Sequence, residues 1–421
     1  MANSAISADD ALAKRFEANN LFTPSAPIAI AELFAGRQRQ ASKIVDAVGE
    51  RGRHIVLYGE RGVGKSSMAQ IAPFFIPKSP RSIRYIRVQA FPGDTFSVVA
   101  KRIFSQIHFE ADYGEGNRAY SVSEFYPDTV TIDHFLTEMQ VFKETEIPIV
   151  VIDEFNEIDD EDTSILISNI IKALSDSGAN VTIVIVGVAD NITDLFERHQ
   201  SIERCTEQIM MPRMNPDERR DILDRRLNQL GMTMAEAAKR EIISLSKGLP
   251  SYVHSLGKYA VFNALSRRSL NVNDTDVDAA IVDVIQSAQQ TLRDAYEQAT
   301  RSNNTRALFR HVLTACAIAK VDEAGYFAPA AIREPYANIL GRTVDIAHFQ
   351  DTLQDFAEKR GQILERSGSA RNYRFRFRDP AMQPYVIMRG IRDGLIDEHS
   401  QLALSAAEQG DFSQASDTEC K

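Results

Sequence analysis

The chain has no tryptophan and only three cysteines in 421 residues. Cys205, Cys316 and Cys420 are far apart and show no metal-binding spacing. That excludes a disulfide-framed or zinc-ribbon scaffold and fits a reducing compartment. Long apolar runs are also missing. No stretch is long enough to span a bilayer, and Met1 to Asn20 is polar, without the apolar centre of a signal peptide. Positive charge is in deficit: 48 Lys and Arg against 58 Asp and Glu give a net charge of -10 and a pI near 5.4. Such a field repels nucleic acid and anionic membrane, so any DNA contact has to come from a local basic patch. No internal repeat is visible. The composition, 44% hydrophobic and 25% charged, is that of a soluble globular protein. The length predicts two or three domains in a cytoplasmic protein.

What is present is centred on Gly59-Glu60-Arg61-Gly62-Val63-Gly64-Lys65-Ser66-Ser67. It fits G-x-x-x-x-G-K-[ST], the Walker A phosphate loop. The apolar run His54 to Tyr58 before it reads as a short buried strand, and Lys65 to Ile71 after it as a helix that Pro73 should end or kink early. Glycines let backbone N–H groups turn around phosphate oxygens, and a helix N-terminus adds partial positive charge. Lys65 is expected to reach the β- and γ-phosphates of ATP, and the Ser66 hydroxyl to coordinate Mg²⁺.

The run Ile147 to Ile152 is apolar and rich in β-branched residues, and it ends in Asp153-Glu154. This is the Walker B pattern of a strand buried on both faces of a parallel sheet. Asp153 is placed to bind Mg²⁺, directly or through water, and Glu154 to act as general base on the water attacking the γ-phosphate. The acids that follow, from Glu157 to Asp162, read as a solvated loop. A further strand, Val181 to Val186, is followed by Asp190 and Asn191, where a polar residue would touch the γ-phosphate or its water. Strands are also expected at 83–88 and 208–211. Their alternation with helices implies a parallel sheet with right-handed crossovers. Residues 109–130 have no clear period and read as an insertion or loop.

Residues 1–30 predict an N-terminal arm with a short polar helix, Asp9 to Glu17. Leu33-Phe34-Ala35-Gly36-Arg37, ahead of the phosphate loop, either wraps an adenine or starts an ordinary helix with Phe34 in the core. The ATPase core is expected over 31–212 and a helical lid over 213–303. In the lid, Asn215-Pro216-Asp217-Glu218 forms a helix start, and Gly248-Leu249-Pro250 breaks one helix and opens the next. Residues 304–388 predict helices followed by a β-hairpin, the order of a winged helix. Ile346, Phe349, Leu353 and Phe356 line one helix face there. In the second hairpin strand Tyr373, Phe375 and Phe377 alternate with Arg374, Arg376 and Arg378, so aromatics should pack inward and arginines point out. Residues 389–421 predict a C-terminal helix and a flexible acidic tail.

Together these residues resemble the AAA+ branch that joins replication-initiator ATPases of the ORC/Cdc6 type to STAND signalling ATPases. The resemblance covers roughly residues 31–388. It implies an α/β fold: a P-loop NTPase parallel sheet of AAA+ type, with a helical lid and a C-terminal winged-helix domain. It places Asp190 at the sensor 1 position, with Asn191 the alternative, and Arg204 where the family often carries an arginine finger that acts on a neighbouring subunit. It thereby implies a homo-oligomer with nucleotide at subunit interfaces. One departure stands out. Initiator-type members carry a sensor 2 arginine shortly after the lid glycine, and here the residue is Ser251. Gly248-Leu249-Pro250 is closer to the STAND form, in which the proline packs near adenine. The departure implies slow or partner-stimulated turnover.

Two functions remain in competition. One is an ATPase that assembles on a protein or DNA partner as a loader. The other is a signalling or recruitment switch that hydrolyses slowly. Arg374, Arg376 and Arg378 are the candidate contacts to DNA phosphates or to a protein. Asp345, Asp351, Asp355 and Glu358 on the preceding helix oppose base reading by that helix.

Overall fold

The computed structural model describes residues 6–24, 26–27, 31–77, 81–112, 117–189, 195, 200–303, 307–322, 324–369 and 372–396. Its centre is a five-stranded parallel sheet. The strands in chain order are β1 (His54–Gly59), β2 (Ser82–Gln89), then, after a separate antiparallel hairpin of β3 (His108–Asp112) and β4 (Asn117–Ser121), β5 (Glu146–Asp153), β6 (Thr182–Val188) and β7 (Thr206–Met210). The spatial order is β2-β5-β6-β1-β7, with every pair parallel.

Strand alternation divides the sheet's side chains between two cores. Ile55, Leu57, Ile149, Val151, Val184 and Val186 pack on one face, with the phosphate-loop helix, the lid and the C-terminal elements. Val56, Val150, Ile152, Ile183 and Ile185 pack on the other, under the helices Phe96–Phe104, Ile132–Met139 and Glu161–Asp176. Burial on both sides explains the unbroken apolar runs of β5 and β6.

The helix after the phosphate loop runs Lys65–Phe75 and contains Pro73, so it does not end at the proline, where the sequence predicts an end or a kink. Proline cannot bond to the carbonyl four residues back. That carbonyl, on Ala69, instead accepts the Tyr85 hydroxyl at 2.9 Å. The region expected to be a loop at 109–130 contains the β3–β4 hairpin and the 3-10 turn Val122–Phe125. The acids after Glu154 are partly structural: Asp160 caps the helix Glu161–Asp176 by accepting from Thr163 N.

The first helix runs Ala8–Leu21, longer than predicted. The chain after it is clamped to the lid, with Phe22 fully buried and the Leu21 carbonyl bonded to buried Arg226. The helices after β7 are Pro216–Leu230, Glu236–Leu245, Pro250–Ser266, Asp274–Ser287 and Gln290–Thr300. The first has the expected capping box of Asn215 and Glu218.

Beyond them come Phe309–Ile318, Arg333–Leu340 and Gln350–Glu358, then the antiparallel hairpin of Leu364–Ser367 and Arg374–Phe377. Phe375 and Phe377 are buried and Arg374 and Arg378 exposed, as the alternation requires. The stripe from Ile346 to Phe356 does not lie on one helix. Phe349, at φ -134°, separates the 3-10 turn Ile346–His348 from the helix Gln350–Glu358. The helix Met382–Arg392, the last among the described residues, runs through residue 388, so the boundary expected there falls inside one element.

Candidate functional site

The phosphate loop follows the carboxyl end of β1, the edge of a parallel sheet where ligands collect. Its glycines are required. Gly59, Gly62 and Gly64 have φ of 142°, 84° and 96°, which side chains resist. A Cβ on Gly59 would stand 2.5 Å from the Met211 carbonyl oxygen. Val63 is buried beneath the loop and Arg61 is exposed. The helix starts from Gly64 without a side-chain cap, leaving the N–H groups of its first turn to a ligand. Lys65 is buried, and its ammonium donates to the carbonyls of Gly59 (2.9 Å) and Glu60 (2.7 Å). Burial outweighs the pull of Glu154, Asp153 and Glu60 and brings its pKa down to about 8.

Asp153 closes β5 and is 2% exposed. Its Oδ1 accepts from the Ser66 hydroxyl at 3.2 Å and from Glu154 N at 2.9 Å. Its Oδ2 accepts from Arg87 at 2.5 Å. A hydroxyl and a carboxylate side by side are hard oxygen donors that suit Mg²⁺. Among the described residues no cluster of three His, Cys, Asp or Glu could hold a metal, so an ion here would complete its shell with phosphate and water. Glu154 sits in the left-handed region, φ 55° and ψ 40°, at a backbone cost of about 1–3 kcal/mol. Burial, then the charge on Asp153, raises its pKa, which makes the carboxylate a stronger base.

Behind the loop lies a small apolar pocket of about 30 Å³ lined by Phe34, Val63, Gly64, Ser67, Met214 and Pro250, among others. Pro250 Cγ would stand 3.9 Å from a Cβ on Gly64, and Ser251 Oγ 4.0 Å from one on Gly62. Phe34 meets Phe75 edge-on at 6.0 Å. Buried Arg37 braces the loop from behind, donating to Val63 O (3.1 Å) and Pro212 O (2.6 Å). Gly36 is needed for a close approach: a Cβ there would lie 2.5 Å from Glu218 Cγ. The segment 34–37 thus lines the pocket and packs against the core.

Not every candidate joins this group. Asp190 and Asn191 lie outside the described residues. Arg204 stands at the far end of the sheet. Its carbonyl accepts from Arg53, just before β1, and its guanidinium pairs with Asp176 at 2.6 Å. The length of β1, roughly 20 Å, separates it from its own phosphate loop. Arg374 pairs with Asp322 (2.9 Å) and Arg376 with Glu365 (3.0 Å). Arg376 and Arg378 line a cleft that also contains Glu60, Arg61 and Glu154.

Several residues at the site carry no sequence motif. Arg87 lies on β2, where arginines alternate with apolar residues. Asn156 accepts from Val188 N at 2.7 Å and ties the turn after Glu154 to the end of β6. Arg213 donates through Nε to Glu60 Oε2 (2.6 Å), and through Nη1 to Lys247 O (3.2 Å) and Gln383 Oε1 (2.5 Å). It thereby joins the phosphate loop, the lid and the last helix. A lone arginine between a strand and a helix cap gives no hint of this.

The folded chain is similar to the Aeropyrum pernix ORC2 protein in ADPNP–ADP complexes (14% identity, 89% of this chain and 98% of that one, TM-score 0.49). It is also similar to the ORC1 protein of the same organism in complex with DNA (15%, 88% and 95%, TM-score 0.46) and to Cdc6p from Pyrobaculum aerophilum (16%, 90% and 98%, TM-score 0.45). No curated protein matches the sequence. The family Novel STAND NTPase 1 matches residues 28–361, a span that holds the phosphate loop, both acids, the pocket and the lid. With that match over most of its length, the chain belongs to the novel STAND NTPase 1 family, as a P-loop NTPase.

Proposed function

We propose that the protein is a nucleotide-driven switch. It binds ATP with Mg²⁺, hydrolyses it slowly with Glu154 as base, and transmits the loss of the γ-phosphate to its lid and C-terminal elements, and through them to a protein partner. One observation carries this reading: a single guanidinium, Arg213, holds Glu60 of the phosphate loop, Lys247 of the lid and Gln383 of the last helix. A ligand that moves the loop at Glu60 acts on all three. The narrow pocket supports it. About 30 Å³ between Gly64 and Pro250 holds no more than a water or two, so seating a purine requires the lid to shift.

In this reading Lys65 and the loop N–H groups bind the β- and γ-phosphates, and Ser66 and Asp153 hold the metal. Asp190, or Asn191, faces the γ-phosphate past β6. Ser251, in place of a lid cation, keeps turnover slow. Arg204, remote from its own loop, acts on the nucleotide of a neighbouring copy in a homo-oligomer. Against a DNA loader, Arg374 and Arg376 are already neutralised by carboxylates.

The test is calorimetry with ATP and with ADP, joined to hydrogen exchange of the helix Met382–Arg392 in each state. Both nucleotides should bind, and the helix should be protected to different degrees. Binding with identical protection would end the switch reading.

A further inference from the structure

Among the described residues β7 is an outer strand of the sheet and pairs only with β1. Met211 N donates to Tyr58 O at 2.8 Å. The backbone of Glu207 and Ile209, in step with it, therefore turns toward β1, and that of Gln208 and Met210 turns outward. Among the described residues nothing pairs with those outward groups, and Met210 is 37% exposed. An open strand edge is a template for another extended chain.

Beside this edge lies a cleft of about 880 Å³, bounded by residues 208–210, the start of the helix Gln38–Gly49, the lid at 247–248 and the C-terminal segment 318–322. Its lining carries seven lysines and arginines against two acids, in a chain whose net charge is -10. Both acids are engaged. Glu218 accepts from the backbone of Arg37 and Asn215 at 2.8 and 3.0 Å, and Asp322 pairs with Arg374. Lys43 is balanced by Glu207 at 2.9 Å. Arg39 is exposed on the core bank and Lys320 on the C-terminal bank. On the lid, Lys247 holds φ 47°, a left-handed backbone that a side chain resists and that collects at functional sites.

We propose that this cleft docks an extended acidic peptide segment of a partner protein. The segment adds a strand to the outer edge of β7, and its carboxylates face the cationic walls. The open edge selects an extended occupant, and the charge imbalance selects an acidic one. The site lies apart from the nucleotide centre, and peptide binding stands without the nucleotide reading. Only its effect on the switch rests on that reading. Arg213 would carry the effect, since it lines the cleft and holds Glu60, Lys247 O and Gln383.

The test is fluorescence anisotropy on the full chain with a short end-capped peptide alternating glutamate with valine. It should bind, and its lysine–valine counterpart should bind at least about tenfold more weakly. The glutamate peptide N-methylated at every residue keeps its charge but cannot join a ladder, and should lose binding by a similar factor. Met210→Pro removes an outward N–H at an edge position that tolerates proline and should do the same. Where that variant does not fold, the N-methylated peptide on the wild type decides the ladder by itself. Arg39→Gln combined with Lys320→Gln should weaken binding about tenfold. Lys172→Gln, on a helix that packs on the other face of the sheet, should leave it unchanged. A wild type that ignores the glutamate peptide overturns the proposal, as does equal binding of the N-methylated or lysine peptide, or an equal effect of Lys172→Gln. Tighter binding of an oligodeoxythymidine of equal charge, lost in the Arg39 and Lys320 variant, would give the cleft to nucleic acid and overturn it too. Peptide binding by a protein that binds no ATP would overturn the nucleotide reading and support this site. ATP binding without peptide binding would overturn this site alone.

Discussion

The Arg213 guanidinium grips the Glu60 carboxylate through two nitrogens, Nε at 2.6 Å from Oε2 and Nη2 at 3.2 Å from Oε1. The two side chains are 16% and 10% exposed, so the pair is shielded from solvent and removal of one partner strands the other. Arg213→Met should cost about 3 kcal/mol and loosen the last helix from the phosphate loop. The measurement is thermal unfolding with hydrogen exchange of Met382–Arg392. Unchanged protection of that helix would mean that Gln383 and Tyr252 hold it without Arg213.

Lys65 and Glu154 should separate binding from chemistry. Lys65→Ala removes the buried ammonium and should abolish ATP binding. Glu154→Gln keeps the shape of the turn but lacks the base, so binding should persist while turnover falls roughly 10²- to 10⁴-fold. Calorimetry and phosphate release measure the two effects. Turnover at the wild-type rate in Glu154→Gln would assign the base to another residue.

The Asp153 carboxylate takes its direct ion pair from Arg87. Arg87→Met should destabilise the nucleotide-free protein by about 3 kcal/mol, the cost of a buried charge left without its partner. If Asp153 is the metal carboxylate, Mg²⁺ with ATP should restore much of that loss, because the ion supplies the missing charge. Melting temperatures with and without Mg²⁺–ATP decide it. An equal deficit in both conditions would separate Asp153 from the metal.

The parts legible in the sequence are those fixed by local rules. Gly59, Gly62 and Gly64 mark a loop because the backbone there takes positive φ, and β5 shows itself because burial on both faces demands apolar residues throughout. Asn215 and Glu218 announce a helix start because their bonds span three residues. What escaped depends on distant partners. Pro73 signalled a helix end or kink, and the partner that accommodates it, Tyr85, lies on β2. Phe349 fits a helical stripe by spacing, yet its backbone breaks the helix. Arg213 and Gln383 are 170 positions apart, and no periodicity links them. Arg374 and Arg378 are exposed as the alternation predicts, while Arg376 is half-buried, and the alternation could not say that Asp322 and Glu365 would claim Arg374 and Arg376.

Glu241, on the lid helix Glu236–Leu245, has its pKa raised to about 7 by burial and by the charges on Asp278 and Asp274. In the unfolded chain it titrates near 4.5, so between pH 4.5 and 7 the folded protein keeps a proton that the unfolded chain releases. The favourable contribution is therefore full at the acid end and declines as pH rises to 7. Above that the lid carries an unpaired carboxylate. Glu241→Gln, permanently neutral, should raise stability at pH 8 by about 2 kcal/mol after allowance for partial solvent exposure. It should change nothing near pH 4.5 and flatten the pH dependence between the two. Melting curves at pH 5, 6, 7 and 8 measure this. A variant that gains as much at pH 5 as at pH 8 would show that the stabilisation comes from packing rather than charge, and that Glu241 titrates as an ordinary surface glutamate.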